Sequence, residues 1–522
     1  MYPSFLPNNA DIIIVGAGIS GMTAAFYILE KEPTLTVLVL EAKQRIGGRT
    51  LSTPLRIDEN NFRSYDLGGQ FISSSQVHLS DLIHKLGLEL VRPLKKTGKT
   101  IWNLDKNKIT PVTENPLDLK TLPERLELLK FFEKIYRMGK EVTLNNPHSI
   151  PNSKQLDMES MESFIKKHLS SASAQNFMRH VIRTSCGIEP SQLTVLYYLA
   201  LCNATDGAEN QFLLDDGGAK ELWIRGGADS ICQRIASSIG RDYIKVNDPV
   251  IEILRDDFQV IIETENKTYT SKYVIISIPP KEILDITFTP PLSSSRVNLL
   301  HAIDCGYLIK FVITYEKAFW KEKGFSGDIV GCGKYGGHGP IHACYDITYD
   351  KWPALTGYIA SNDALEQPPE TYQQDVLSQL AKYFGDEALH PLEYFEKSWL
   401  DEPYIYNCLM NCPGFSNMDI FHELRRPVGR MFWAGTETAT HWNGYMGGAV
   451  QAGYRAAIEV LYDFRPQLLT IEDIHFVNSR KQRKRKLTTT LIAYGTDWKV
   501  ILSAIILLGV VVYNRRKVFY NN

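Results

Sequence analysis

The chain has 522 residues, a formal net charge of −2, and hydrophobic and charged fractions of 44% and 22%. That length supports roughly three domains with an ample core, and so small a net charge gives no electrostatic case for a nucleic-acid partner. Eight cysteines (Cys186, Cys202, Cys232, Cys305, Cys332, Cys344, Cys408 and Cys412) are scattered without a CxxC pair, a pattern of reduced intracellular thiols and not of a disulfide framework or a zinc site.

The N-terminus enters its first strand by about Ile12, with neither a signal-peptide layout nor an Arg-rich presequence. Asp11 to Thr50 then reads DIIIVGAGISGMTAAFYILEKEPTLTVLVLEAKQRIGGRT. The run Ile12 to Val15 has strand length and β-branched character, Gly16, Gly18 and Gly21 follow in GxGxxG spacing, and Met22 to Glu30 is helix-like. A second strand, Val37 to Leu40, ends on Glu41. Gly16 makes the tight turn, Gly18 lets backbone approach a pyrophosphate, and Gly21 lets helix and strand pack. The helix N-terminus offers free N–H groups to phosphate. Glu41 can accept the ribose hydroxyls; Ala42 and Lys43 follow it directly. These parts in register predict a Rossmann-like dinucleotide site in an α/β fold.

Tyr65 to Ser75 runs a strand end into Gly68-Gly69, a pair that lets backbone come near a ligand. Residues from about Leu90 to Leu214 are mostly helical in pattern, with Leu122 to Gly139, Met161 to Leu169 and Ser191 to Leu201 as the clearest segments. A β-rich section follows: Val250 to Leu254, Phe258 to Thr264, Thr268 to Thr270 and Tyr273 to Ile278. Pro291 to His390 reads as a mixed block with a helix near Tyr372 to Tyr383. Met431 to Val450, MFWAGTETATHWNGYMGGAV, is a second strand, glycine turn and helix, which continues to about Tyr462.

Arg45-Ile46-Gly47-Gly48-Arg49-Thr50, the Gly-Gly pair after Asp66-Leu67, and GTETATHW with GYM and GAV together resemble the flavin-dependent amine oxidases, and the monoamine oxidases among them, from about Asp11 to Asp463. The resemblance implies an FAD-binding domain from residues 1–90, 215–290 and 391–465, and an inserted α+β substrate domain from residues 91–214 and 291–390. It implies that Arg49 contacts the FAD pyrophosphate, that Gly68 and Gly69 lie against the cofactor, that Val250 offers backbone to the adenine, and that Gly435, Thr436, Gly444, Tyr445 and Met446 line the flavin. Lys310, in the apolar strand Leu308 to Tyr315, matches the lysine placed near flavin N5, where a cation assists reoxidation by O2. Read without the resemblance, Lys310 lies on the polar side of an alternating strand. Trp399, eight residues and Cys408 match the spacing at which the flavin is attached as a cysteinyl thioether, so covalent FAD at Cys408 is expected.

Tyr445 matches one tyrosine of the family's aromatic cage, and the partner position is Leu409. Gln70-Phe71 stands where the family has a small residue and a tyrosine. The implied reaction is oxidation of a primary monoamine to aldehyde, ammonia and hydrogen peroxide, with Lys310, Tyr445 and Trp399 at the reacting end and no metal. His301, His342 and His441 are isolated and read as structural. A polyamine or L-amino-acid oxidase on the same scaffold, or a flavin-binding protein with little turnover, are the alternatives. An amino-acid oxidase needs an arginine clamp, for which Arg183 is a candidate.

Beyond Phe464 lies a basic linker, 466–497, with the run Arg480 to Lys486. Val500 to Tyr513 is then apolar or small between basic clusters. A fourteen-residue helix is about 21 Å long, short of the roughly 30 Å hydrocarbon core, and Trp498 and Lys499 extend it by anchoring at the interface. Residues 498–514 are therefore expected to be a single-pass tail anchor. The expected membrane is the mitochondrial outer membrane, with endoplasmic reticulum as the alternative. The expected partners are an amine, O2 and that membrane, with a homodimer left open.

Overall fold

The computed structural model describes residues 8–92, 97–105, 108–113, 122–212, 217–306, 308–331, 339–359, 372–400, 402–406 and 409–477. Its first element is β1 (Asn9–Val15), whose last four side chains are all buried. Such a run suits the middle of a parallel sheet covered on both faces. The chain turns at Gly16 to Gly18 into α1 (Ile19–Lys31) and returns as β2 (Val37–Leu40), parallel to β1.

Thr268–Ile276 pairs with the other edge of β1, also in parallel. This strand changes partners on its far side: Thr268 to Ser271 pairs with Val260–Thr264, and Val274 to Ile276 pairs with Met431–Trp433. Lys272, at the changeover, turns outward to Asp11 at 2.7 Å. Thr268 to Thr270 and Tyr273 to Ile278, expected as two strands, are thus one. The eight-stranded sheet so formed collects segments from the beginning, middle and end of the chain.

A second sheet has seven strands in the order Glu393–Lys397, Ile309–Thr314, Ala354–Ile359, Ile341–Asp346, Phe325–Gly331, Lys99–Asp105 and Lys108–Thr113. The block from Leu90 to Leu214, expected as mostly helical, also holds Lys99–Asp105 and Lys108–Thr113, which form an antiparallel hairpin on this sheet. The boundary at residue 390 cuts the sheet, because Glu393–Lys397 pairs with Ile309–Thr314. Ile309, Phe311 and Ile313 pack on Val376, Leu380 and Phe384 of the helix Tyr372–Phe384. Val312 packs the other way, with Leu67 and Trp223. The strand carrying Lys310 is therefore buried on both faces.

Among the described residues no helix is long and apolar enough to cross a membrane. Residues 498–514 and Cys408 lie outside the described residues.

Candidate active site

One elongated cavity runs from Glu41 past Gly16, Gly18 and Arg49 to Lys310, Trp399 and Tyr445. At its first end the two oxygens of Glu41 accept backbone N–H bonds from Ala17 at 2.8 Å and Lys43 at 2.9 Å. Burial raises the Glu41 pKa, opposed by those two N–H groups. Each oxygen keeps a further lone pair for a hydroxyl. Ala42, Asp248 and Val250 line the same end. The Lys43 N–H is thus tied to Glu41, while its ammonium binds Glu402 at 2.5 Å.

The glycine turn is held by backbone. A Cβ on Gly21 would lie 2.1 Å from the carbonyl oxygen of Gly16, so only glycine lets α1 start this close to the strand. No side chain caps α1 and its first turn has no acid, which leaves its N–H groups to an anion. Arg45 donates to the carbonyls of Gly48 (2.8 Å) and Thr50 (3.0 Å) and so shapes its own loop. Arg49 instead reaches Glu437 in a forked pair at 2.6 and 3.1 Å. Burial pushes Glu437 up, but the Arg49 charge and bonds from Arg49 and Asn411 outweigh it, and its pKa stays below the usual carboxylate value.

The second glycine turn closes on the first: the Gly435 N–H donates to the Ser20 hydroxyl of α1 at 2.9 Å. Thr436 donates to the Tyr445 carbonyl at 2.8 Å, which fixes Tyr445 as the residue before the helix Met446–Phe464. The Trp442 ring meets Tyr445 edge-on at 5.0 Å. Gly435, Thr436, Gly444, Tyr445 and Met446 all line the cavity.

Gly68 and Gly69 line it too, Gly69 beside Met446. The Trp399 indole N–H donates to the Leu67 carbonyl at 2.9 Å, and the Lys310 ammonium donates to the Gly68 carbonyl at 3.0 Å and to Gln70 Oε1 at 2.8 Å. Asp66, just before this loop, accepts from Ser52 and the Ala228 N–H; burial raises its pKa to about 6 against the Lys310 charge and these donors. The structure thus gathers Lys310, Trp399 and Tyr445 from three distant segments around one space, with Tyr358, Phe71 and Leu409 beside them. Tyr445 and Leu409 lie in the same wall, so one tyrosine of a cage is present. A carboxylate at one end, an uncapped helix N-terminus in the middle and a buried tryptophan and lysine at the other end fit the ribose, pyrophosphate and ring of FAD.

Some functional residues were not anticipated. Glu437, the acid inside GTET, was readable only as part of a motif, and its ion pair depends on tertiary contact. Lys220, buried in the cavity wall, donates to the Gln211 carbonyl at 3.1 Å and lies 5.4 Å from the Tyr345 ring centre. His342, isolated in sequence, lies against the tilted His180 ring at 4.7 Å and bonds Thr184 at 3.0 Å. Burial lowers both imidazole pKa values, His180 to about 3, so the pair is neutral. Arg183 is held by Glu189 in a forked pair at 2.8 and 2.7 Å and is not in the cavity wall.

Residues 19–461 match the family model for flavin containing amine oxidoreductase. The chain belongs to this family. A probable flavin-containing monoamine oxidase A of Dictyostelium discoideum is 32% identical over 86% of this chain and 97% of its own length. A flavin-containing amine oxidase B of Bos taurus is 31% identical, with 88% and 87% covered. Cyclohexylamine oxidase from Brevibacterium oxydans IH-35A superposes with a TM-score of 0.79 and 28% identity, over 87% of this chain and 99% of its own. A putrescine oxidase, at 23% identity and a TM-score of 0.78, shows the shared fold alone. This member of the family is an FAD-dependent amine oxidase, and the cavity that joins Glu41 to Lys310 is the candidate site for its cofactor.

Proposed function

We propose that the enzyme oxidises primary monoamines to aldehyde and ammonia and passes the electrons to O2 as hydrogen peroxide. The observation that carries this reading is the convergence of Lys310 and Trp399 on consecutive carbonyls, Gly68 and Leu67, in a cavity that Tyr445 also lines. FAD, when bound, takes the hydride equivalent from the carbon next to nitrogen and passes two electrons to O2. The protein selects the form of the amine that enters. Tyr445, Tyr358, Phe71 and Leu409 make an apolar wall, which disfavours an ammonium ion, and the Lys310 cation repels one further. Tyr445 presents a ring face or edge that orients the neutral amine.

Two observations favour a monoamine over the alternatives. Lys220 puts a second cation in the cavity wall, which opposes the second ammonium of a diamine. Arg183 is engaged by Glu189 and Arg49 by Glu437, so neither stands as a clamp for an amino-acid carboxylate. The experiment is anaerobic mixing with aryl-alkyl amines, polyamines and amino acids while following flavin absorbance. Bleaching by primary monoamines, with peroxide on readmitting air, is expected. Bleaching by polyamines or amino acids alone overturns the substrate class, and no bleaching with flavin bound leaves a flavin scaffold.

The FAD is attached through its 8α carbon to Cys408 as a thioether, a reading supported by its spacing from Trp399 and by Leu409, the next residue, in the cavity wall. Residues 498–514 form a single-pass anchor in the mitochondrial outer membrane, with the catalytic body facing the cytosol. The support is the apolar run between basic clusters; so short a run suits a thin membrane better than the thicker plasma membrane, and the endoplasmic reticulum is the alternative. Truncation before Leu487 should release the enzyme from membranes.

A further inference from the structure

Lys310 is buried, at 3% exposure, on a strand packed on both faces. The backbone register sets its ammonium over the loop 66–70, where it donates to the Gly68 carbonyl and to Gln70 Oε1, the latter at 2.8 Å. Gln70 is itself buried at 5% exposure and lines the cavity. An ammonium only donates, so the carboxamide must present its oxygen to Lys310. This chemistry settles the orientation that an amide otherwise leaves ambiguous. The amide nitrogen is then turned away from Lys310.

The loop that carries Gln70 has little freedom. The Gly69 N–H donates to the Arg49 carbonyl at 3.2 Å, the Leu67 N–H to the Leu51 carbonyl at 2.8 Å, and Trp399 holds the Leu67 carbonyl. Phe71, the next residue, packs edge-on against Trp223 and Tyr345. A side chain on so fixed a backbone positions its partner with little loss of rotamer freedom. Each donor of Lys310 that is aimed at a fixed acceptor removes directions in which the flexible four-carbon stem could carry the charge.

We propose that Gln70 is a positioning residue for Lys310, holding its ammonium at the cavity wall where O2 is reduced. The inference rests on the oxidase reading above. O2 takes two electrons and two protons to become hydrogen peroxide; the electrons come from FAD reduced by the amine, and the protons from the reduced cofactor and solvent. Negative charge builds on oxygen in this half of the cycle, and a cation stabilises it only if it is already in place. The amine-oxidising half builds no such charge at Lys310. Gln70 therefore bears on reoxidation more than on reduction.

The test compares the flavin-loaded parent with Gln70→Met, which keeps length and loses the acceptor, and Gln70→Glu, which keeps both. Flavin is reduced by light, without any amine, and mixed with O2 in a stopped-flow instrument. We expect reoxidation about 10-fold slower in Q70M, and slower than the parent in Q70E as well because its carboxylate cancels the Lys310 charge, with amine-driven bleaching of Q70M within about 3-fold of the parent. A second readout is thermal unfolding of the loaded protein for Q70M, Lys310→Met and the double variant; the Tm losses should be less than additive, because the two side chains form one contact. Parental reoxidation in Q70M or additive Tm losses overturns the inference. A parent that no amine bleaches, together with slow reoxidation in Q70M, sinks the oxidase reading and leaves the Gln70 contact standing.

Discussion

Arg49 and Glu437 are 388 residues apart in sequence and share a forked ion pair at 2.6 and 3.1 Å. The pair ties the loop after β2 to the glycine turn before the last long helix, across the middle of the cofactor cavity. Glu437 is 3% exposed, whereas Arg49 keeps 23%. Removal of the arginine strands a buried carboxylate, which costs about 3–5 kcal/mol. Arg49→Ala should therefore lower Tm strongly and purify with little FAD, and Glu437→Gln should cost less. The double variant Arg49→Ala/Glu437→Ala should lose less than the sum. Thermal unfolding and the ratio of flavin to protein absorbance check all three, and strict additivity would refute the coupling.

Gly68 and Gly69 are adjacent but differ in what surrounds them. A Cβ on Gly68 would lie 2.3 Å from the Arg49 carbonyl oxygen and 3.0 Å from the Leu51 nitrogen, both backbone atoms that cannot yield. A Cβ on Gly69 would meet the Met446 side chain at 3.4 Å and Thr50 Cγ2 at 3.8 Å, both ordinary contacts, and methionine adapts readily. Gly68→Ala should lose flavin or fail to accumulate, whereas Gly69→Ala should retain FAD. The flavin content of the two purified variants decides it.

The acid precipitate of the parent should be yellow, and that of Cys408→Ser colourless, with FAD released to the supernatant. A colourless parent pellet rules out the thioether.

How much of this was legible in the sequence depended on how local each feature is. β1, α1, β2 and the glycine turn follow from strand, glycine and helix signals within forty residues, and their observed bounds differ from expectation by a few residues at most. The hairpin Lys99–Asp105 with Lys108–Thr113 escaped, because its sheet partner, Phe325–Gly331, lies more than two hundred residues away. Thr268–Ile276 looked broken at Ser271-Lys272 because its partner changes there. Lys310 followed the strand alternation in sequence, yet the face expected to be polar is buried against the cofactor-binding half. Motif resemblance found Lys310, Trp399 and Tyr445; only tertiary contact shows that Gln70, Glu437 and Asp66 complete their surroundings.

Asp66 makes stability depend on pH in a direction opposite to that of an ordinary surface carboxylate. Its pKa rises from 3.8 to about 6 by burial, against the Lys310 charge and the Ser52 and Ala228 donors. Between roughly pH 4 and 6 the folded chain keeps a proton that the unfolded chain releases. The stability from this group is present in full below about pH 4 and is lost as pH rises through about 6, a change of about 3 kcal/mol. Asp66→Asn keeps an acceptor for Ser52 and removes the titration. Its Tm should therefore gain on the parent's as pH rises from 4 to 7. Parallel curves would show that Asp66 titrates alike in both states.

Leu409 and Tyr445 line the same cavity, and the apolar leucine gives up what a second ring would contribute. An aromatic contact adds about 0.5–1.5 kcal/mol beyond the area it buries, a factor of about 2–10 in rate or affinity. Leu409→Tyr should raise kcat/KM for benzylamine by that factor and leave butylamine nearly unchanged, since an alkyl chain gains area but no ring-on-ring geometry. Tyr445→Leu should do the reverse and reduce benzylamine turnover more than butylamine turnover. Peroxide formation with the two amines measures both variants. If Leu409→Tyr improves neither amine, Leu409 is spacing the cavity for a bulkier substrate, and the selectivity of this enzyme lies in the residues around Lys220 and Tyr345 instead.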